Sequence, residues 1–430
     1  MDQSLRPLGA GRSHDPHDSL VFDRGSGHIL WDSSGKAYID FICGYSALNL
    51  GHAHPRLLAA ARSQLGHLTF CTGGNTILRR ELERSLASLV DGPRSELGDA
   101  RSKVWLSSTG ARAVEIAWKI AFANRPGKMM RFDLSYHGRS LATAHLSDTC
   151  TSEALMHQIG NHQQSQSDGV IPYPLCGSLC HGECPDCNAS IAVAKNWLEQ
   201  GSEQTSAMLL EPAIGARGYY FASSGYYRRL VQLVRSYNVQ IISDEVQMGL
   251  GRLGSMIASI ADRWIPDLIV LGKSLGGGIT PISAVIGTSE RMDRLPQGIE
   301  SETFAANPLA CKVALEVISV LNDESFMASI VGRGDRFRKS LARELPEGTT
   351  VDGRGLATVI DLSRLSAVKG EGTSAIQVAW DWVCHAREKG LLVHLTGVRR
   401  DRIAIIPSLT VDEAVLWSAV EILSSFWKKK

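Results

Sequence analysis

Short apolar runs alternate with stretches of helical spacing through the middle of the chain. Lys103–Ser107, Met208–Glu211, Val239–Asp244, Leu268–Leu271 and Ile282–Gly287 have the length and composition of buried strands. Between and after them, Ala111–Ala123, Tyr226–Tyr237 and Leu309–Leu321 repeat apolar residues at helical intervals. In the first of these, Val114, Trp118, Ala121 and Phe122 are expected on one face. This alternation predicts an α/β fold with a mostly parallel central sheet in a large domain. Gly27 and Gly35 flank Ile29–Asp32 in a hairpin-like pattern. The last ~120 residues mix helix and strand signals with Gly-rich joints. The predicted division is residues 61–310 as the large domain, with 1–60 and 311–430 forming a smaller α+β domain.

A chain of 430 residues allows roughly two or three domains. Lys plus Arg total 45 and Asp plus Glu 44, a balance that argues against a nucleic-acid partner. No run approaches the ~18 consecutive apolar residues of a membrane span, and residues 1–20 lack the apolar core of a secretory signal. The final WKKK is expected to be solvated. Nine cysteines, an odd number, do not suit a fully paired disulfide framework. A cytoplasmic location is therefore expected. The 41 glycines follow no collagen-like period, so they belong to particular turns.

Four turns carry chemistry, three of them with glycine. Ser107-Ser108-Thr109-Gly110-Ala111 joins a strand to a helix, where free N–H groups and a bare glycine suit a phosphate. Ser243–Arg252 begins at a strand end with Asp244 and Glu245, whose side chains must point to opposite sides. Lys273 follows another strand and is hedged by Gly272 and Gly276–Gly278, without the spacing of a dinucleotide loop. Thr303-Phe304 precedes Asn307-Pro308 in a polar turn that opens a helix. A phosphate cradle, a carboxylate and a lysine on one sheet edge are what pyridoxal 5'-phosphate requires. The amine forms an imine with the cofactor aldehyde, and the carboxylate pairs with the ring nitrogen.

With these motifs in order, the sequence resembles the class III aminotransferases, a fold-type I pyridoxal phosphate family that includes ornithine and 4-aminobutyrate aminotransferases. The likeness runs from about Gly35 to Thr410. It takes in Asn49–Pro55, Thr109–Glu115, Tyr136-His137-Gly138, Glu211-Pro212, Asp244–Gly254, Leu271–Ile286 and Thr303–Leu309. The resemblance implies that Lys273 is the Schiff-base lysine and proton carrier, and that Asp244 is the partner of the ring nitrogen. It implies that Gln247 lies beside the phenolic oxygen, that Tyr136 stacks on the ring and that His137 is adjacent to the cofactor. Thr109, Gly110 and Ala111 would cradle the phosphate. Thr303 would reach the phosphate of a second subunit, which implies an obligate homodimer.

The sequence departs from the family in two places. Arg112 stands where the family usually has Glu. Ala404 stands where members acting on amino-acid carboxylates carry an arginine, while Glu211, that arginine's usual partner, is retained. Arg402, two residues earlier, is the candidate replacement and, with Glu211, the candidate substrate contact. The expected reaction is amino transfer between a donor such as glutamate and a substrate without the usual carboxylate, such as an amino sugar. The alternative is an epimerase or aminomutase of the same fold. No metal is assigned. Cys176, Cys180, Cys184 and Cys187, with His181 among them, are candidate zinc ligands, set against a loop of free thiols or a disulfide.

Overall fold

A computed structural model describes residues 16–71, 75–95, 101–148, 169–365 and 374–428. The chain start through residue 15 and the last two lysines lie outside them. Three short strands, β1 (Phe22–Ser26), β2 (Ile29–Asp32) and β3 (Ala37–Asp40), come first. The central sheet follows: β4 (Ser102–Ser107), β5 (Lys128–Phe132), β6 (Gly169–Ile171), β7 (Thr205–Leu210), β8 (Gln240–Asp244), β9 (Leu268–Leu271) and β10 (Ser283–Thr288). Last are β11 (Thr350–Arg354), β12 (Ala357–Asp361), β13 (Leu391–Leu392), β14 (His394–Thr396) and β15 (Arg402–Ile405).

The seven-stranded sheet has the order β4-β10-β9-β8-β7-β5-β6. Its pairs from β9 to β6 are parallel, and β10 runs antiparallel to both β9 and β4. Strands β7 through β10 are buried along their whole length, which is why apolar residues dominate their centres instead of alternating with polar ones. A parallel sheet gathers the carboxyl ends of its strands along one edge, where loops can hold a ligand. The antiparallel β10 starts at that same edge, placing its first residue, Ser283, opposite Ser107.

The helix Gly110–Asn124 covers one face of this sheet. Ala113, Ile116, Ala117 and Ile120 are fully buried against Ala207, Leu209, Ile242, Val270 and Val285. Burying each isoleucine contributes about 1.5–3 kcal/mol. The helix differs from the apolar face expected of it. Val114 and Ala121 are buried, but Trp118 sits at the cluster edge and Phe122 is 49% exposed. The aromatic residues turn outward because the tightly packed face takes the smaller side chains.

The chain ends meet outside the central sheet. β1, β2 and β3 form a sheet whose fourth member is β13, in parallel with β3. A third sheet has the order β11-β12-β15-β14. Arg252, fully buried, ties these parts together. Its guanidinium donates to Pro407 O (2.7 Å), Leu356 O (3.0 Å) and Asn49 Oδ1 (2.6 Å). No helix among the described residues is long and apolar enough to cross a membrane.

Candidate active site

Asp244 ends β8, Glu211 follows β7, Lys273 follows β9 and Ser107 ends β4, so all four come to the carboxyl edge of the sheet. Asp244 is buried, with Oδ2 at 2.7 Å from His137 Nδ1 and Oδ1 accepting from Val246 N at 3.1 Å. The neighbouring acid faces away, as strand alternation requires. Glu245 accepts from Ala258 N (2.6 Å) and Ser259 N (2.9 Å), caps the turn at Ala258–Ala261 and takes no part in the site.

Lys273 is held on a tight turn with φ of 40°. Burial pushes its ammonium down to about 8, against the opposing pull of Asp244 and Glu211. Glu211 moves the other way. Burial, reinforced by Asp244, pushes its carboxyl up to about 8 despite the N–H groups of Tyr136 and Gly215 and the nearby Lys273. Its two oxygens accept from Tyr136 N (2.9 Å) and Gly215 N (3.4 Å). An amine and a carboxyl that both titrate near neutrality can exchange protons with a ligand at little cost.

The cradle lies at the start of the helix Gly110–Asn124. Thr109 caps it by accepting from Arg112 N (3.2 Å), leaving the N–H groups of Gly110 and Ala111 without intrahelical acceptors. Gly110 is required by close approach, since a Cβ there would lie 2.8 Å from Val246 Cγ1. Ser283 Oγ donates to Thr109 O at 2.8 Å, so the first residue of β10 braces the cradle. Tyr136, partly buried, follows β5, and Gly138 (φ 132°) packs so closely that a Cβ would meet Ala111 Cβ at 2.6 Å. Gln247 is buried and donates to Tyr219 Oη at 2.7 Å.

Sequence reasoning missed the acids facing this cradle. Glu302 accepts from Ser108 N (3.1 Å) and from the hydroxyls of Ser107 and Ser108. Arg112 does not point a free cation at the cradle. It pairs with Glu115 (3.0 Å), with the buried Glu300, and with Glu302 (3.6 Å). Burial pulls the Arg112 guanidinium down, but these three carboxylates outweigh it and hold it above its ordinary value. The only sequence signal was the Glu300-x-Glu302 spacing that answers the extra cation. Thr303 itself is exposed on the single chain.

The pattern of the family described as Aminotransferase class-III matches residues 10–426. The chain belongs to that family. The 5-aminovalerate aminotransferase of Pseudomonas aeruginosa is 33% identical over 98% of this chain and 96% of its own length. The 4-aminobutyrate aminotransferase of Escherichia coli is 32% identical, over 97% and 95%. Among solved structures, the ornithine aminotransferase of Toxoplasma gondii described with partial occupancy of pyridoxal phosphate is 30% identical. It has a TM-score of 0.78, over 94% of this chain and 88% of that one.

This class III aminotransferase is thus a pyridoxal phosphate enzyme with the fold-type I architecture expected, and its residues fit that cofactor. Besides the cradle and the Lys273 amine, Nε2 of His137 is wholly enclosed and has no hydrogen-bond partner among the described residues. Thr109, Gly110 and Ala111 would hold the phosphate, Asp244 would face the ring nitrogen, and Lys273 would carry the aldehyde carbon. The cofactor supplies an electron-accepting ring on which an amino group is carried between two substrates.

Two departures of this aminotransferase are also placed. Ala404 is fully buried in an apolar cluster with Tyr219, Phe221, Val359 and Ile406. Arg402 donates to Asp361 Oδ2 at 2.6 Å and lies 3.9 Å over the Tyr220 ring. It lines a cavity of about 650 Å³ with Asp133, Tyr173, Cys176, Ser178 and Tyr220, and neither Lys273 nor Asp244 lines that cavity. Cys176, Cys180, Cys184 and Cys187 converge beside this cavity, which only Cys176 of the four lines, and none forms a disulfide.

Proposed function

We propose that this aminotransferase takes amino groups from primary amines whose far end carries a hydroxyl or a second amine in place of a carboxylate. The observation behind this reading is Glu211. It is buried, it forms no ion pair among the described residues, and the position of the family arginine holds the enclosed Ala404. A carboxyl that keeps its proton up to about pH 8 can donate to a hydroxyl, and once ionised it can accept from an amine. Ionised, it would repel the carboxylate that an arginine would attract, and neutral it lacks the positive charge to attract one.

The relatives named above act on ω-amino acids by name, and those names lend no support to an amino sugar in particular. They do favour transfer over epimerisation. On this reading Lys273 moves the proton at the substrate carbon, Asp244 and His137 fix the ring, Gln247 flanks its oxygen and Tyr136 covers its face. Thr303, exposed on a single chain, would reach the phosphate of a second copy, so the active form would be a homodimer. Arg402, already paired with Asp361, would at most orient the carboxylate of an acceptor such as 2-oxoglutarate.

The test compares length-matched donors with one 2-oxo acid acceptor: 5-aminovalerate, 1,5-diaminopentane, 5-aminopentanol and an amino sugar. The diamine or the amino alcohol should exceed 5-aminovalerate in kcat/KM by about tenfold or more, a difference of about 1.4 kcal/mol. Preference for 5-aminovalerate by the same margin would overturn the reading. Light scattering with eluted activity checks the dimer, which requires activity to travel with the two-chain species.

A further inference from the structure

We propose that Cys176, Cys180, Cys184 and Cys187 bind a structural zinc ion that clips the loop before the helix Pro185–Gly201. The four sulfurs lie within 4.8 Å of one another. Cys176 Sγ is 3.5 Å and Cys180 Sγ 3.8 Å from Cys187 Sγ. A tetrahedral zinc with sulfurs at about 2.3 Å sets its ligands about 3.8 Å apart. A disulfide needs about 2.05 Å, and all four thiols are free. The chain therefore gathers four thiols at the separation of a metal shell and bonds none of them to another.

The surroundings suit thiolate ligands. Cys184 is the N-cap of the helix and Cys187 lies in its first turn, where the helix dipole favours negative charge. Gly182 N donates to Cys180 Sγ at 3.3 Å, the kind of outer contact that orients a ligating sulfur. Cys187 is fully buried and the other three are partly covered, so the site is closed on one side and reachable on the other. His181 is exposed and stands outside the group, which makes the ligand set four sulfurs and leaves no open position for catalysis. Four-sulfur tetrahedral geometry selects zinc among redox-inert ions.

The clip has a mechanical consequence. Between Cys176 and Cys180, Ser178 N donates to Asp352 Oδ2 at 3.2 Å, and Asp352 lies on β11 of the third sheet. The loop is thus fastened at one point to that sheet and at four points to the ion. It forms the wall of the cavity that Arg402 also lines.

The experiment is elemental analysis of the full-length, cofactor-loaded enzyme purified without chelators. It should carry about one zinc per chain. Cys180→Ser and Cys184→Ser should each lower that content at least about tenfold, while Cys384→Ser, a thiol elsewhere in the chain, should leave it unchanged. Should the ligand variants fail to fold, the wild-type protein still decides. With zinc exchanged for cobalt(II), it should show the visible bands of a tetrahedral thiolate ion, and the four thiols should resist a thiol reagent until the metal is withdrawn. A protein without stoichiometric metal, whose four thiols react at once and which takes up neither zinc nor cobalt, overturns the proposal. So does stoichiometric iron in place of zinc.

Discussion

At the scale of single residues, the site depends on moving two groups toward neutrality in opposite directions. Native Glu211 keeps a proton up to about pH 8 that an ordinary glutamate releases near 4.5. Its contribution to stability is full below 4.5 and is lost as pH rises to about 8. Lys273 runs the other way. The unfolded chain keeps that proton to about 10.5, while the native chain releases it at about 8, so stability is regained above 8. The cofactor-free protein should therefore show a minimum from these two groups near pH 8. Melting temperatures from pH 5 to 10 should fall and then rise, and Glu211→Gln should flatten the falling limb. Parallel curves for the two proteins would refute the assignment. Lys273→Ala should lower turnover by about 10²–10⁴ and abolish the visible absorbance of the bound cofactor. Asp244→Asn keeps the shape but removes the charge beside His137. It should also lose about 10² or more in kcat, measured with the best donor of the panel.

At the scale of elements, strands buried on both faces are the easiest to read. β7 through β10 were legible within a few residues because β9 is an unbroken apolar run and each of the others contains one. β5, with the sequence Lys-Met-Met-Arg-Phe, was not, because unbranched and charged residues give no strand signal, although Met129, Met130 and Phe132 are fully buried. The site followed the strands. Lys273, Asp244 and the Thr109 turn were visible because each sits where a run stops. Glu302 and Tyr219 were not, since they reach the site across the fold from segments without periodicity. The buried Arg252 is a further case, a cation held by two backbone carbonyls and Asn49, with no carboxylate bonded to it among the described residues. Arg252→Met should cost about 3 kcal/mol or more by orphaning those acceptors, read as a lower denaturant midpoint. An unchanged midpoint would show that the three segments hold together without it.

At the scale of the whole molecule, the chain ends are joined through β3 and β13, and the site draws on β4, β7, β8 and β9 with β10 returning beside them. That last arrangement bears on the order of events in time. The cradle at Thr109 is braced by Ser283, which lies on the last central strand to be synthesised. No earlier part of the chain can offer a complete cofactor site, because Lys273 and its bracing strand both come late. Contacts between segments so distant in sequence are slow to form. During refolding, far-ultraviolet signal from helices should recover first, and capture of the cofactor's colour should lag behind it. Premature fragments ending before Ser283 should fail to acquire that colour, so cofactor uptake marks the completion of the sheet.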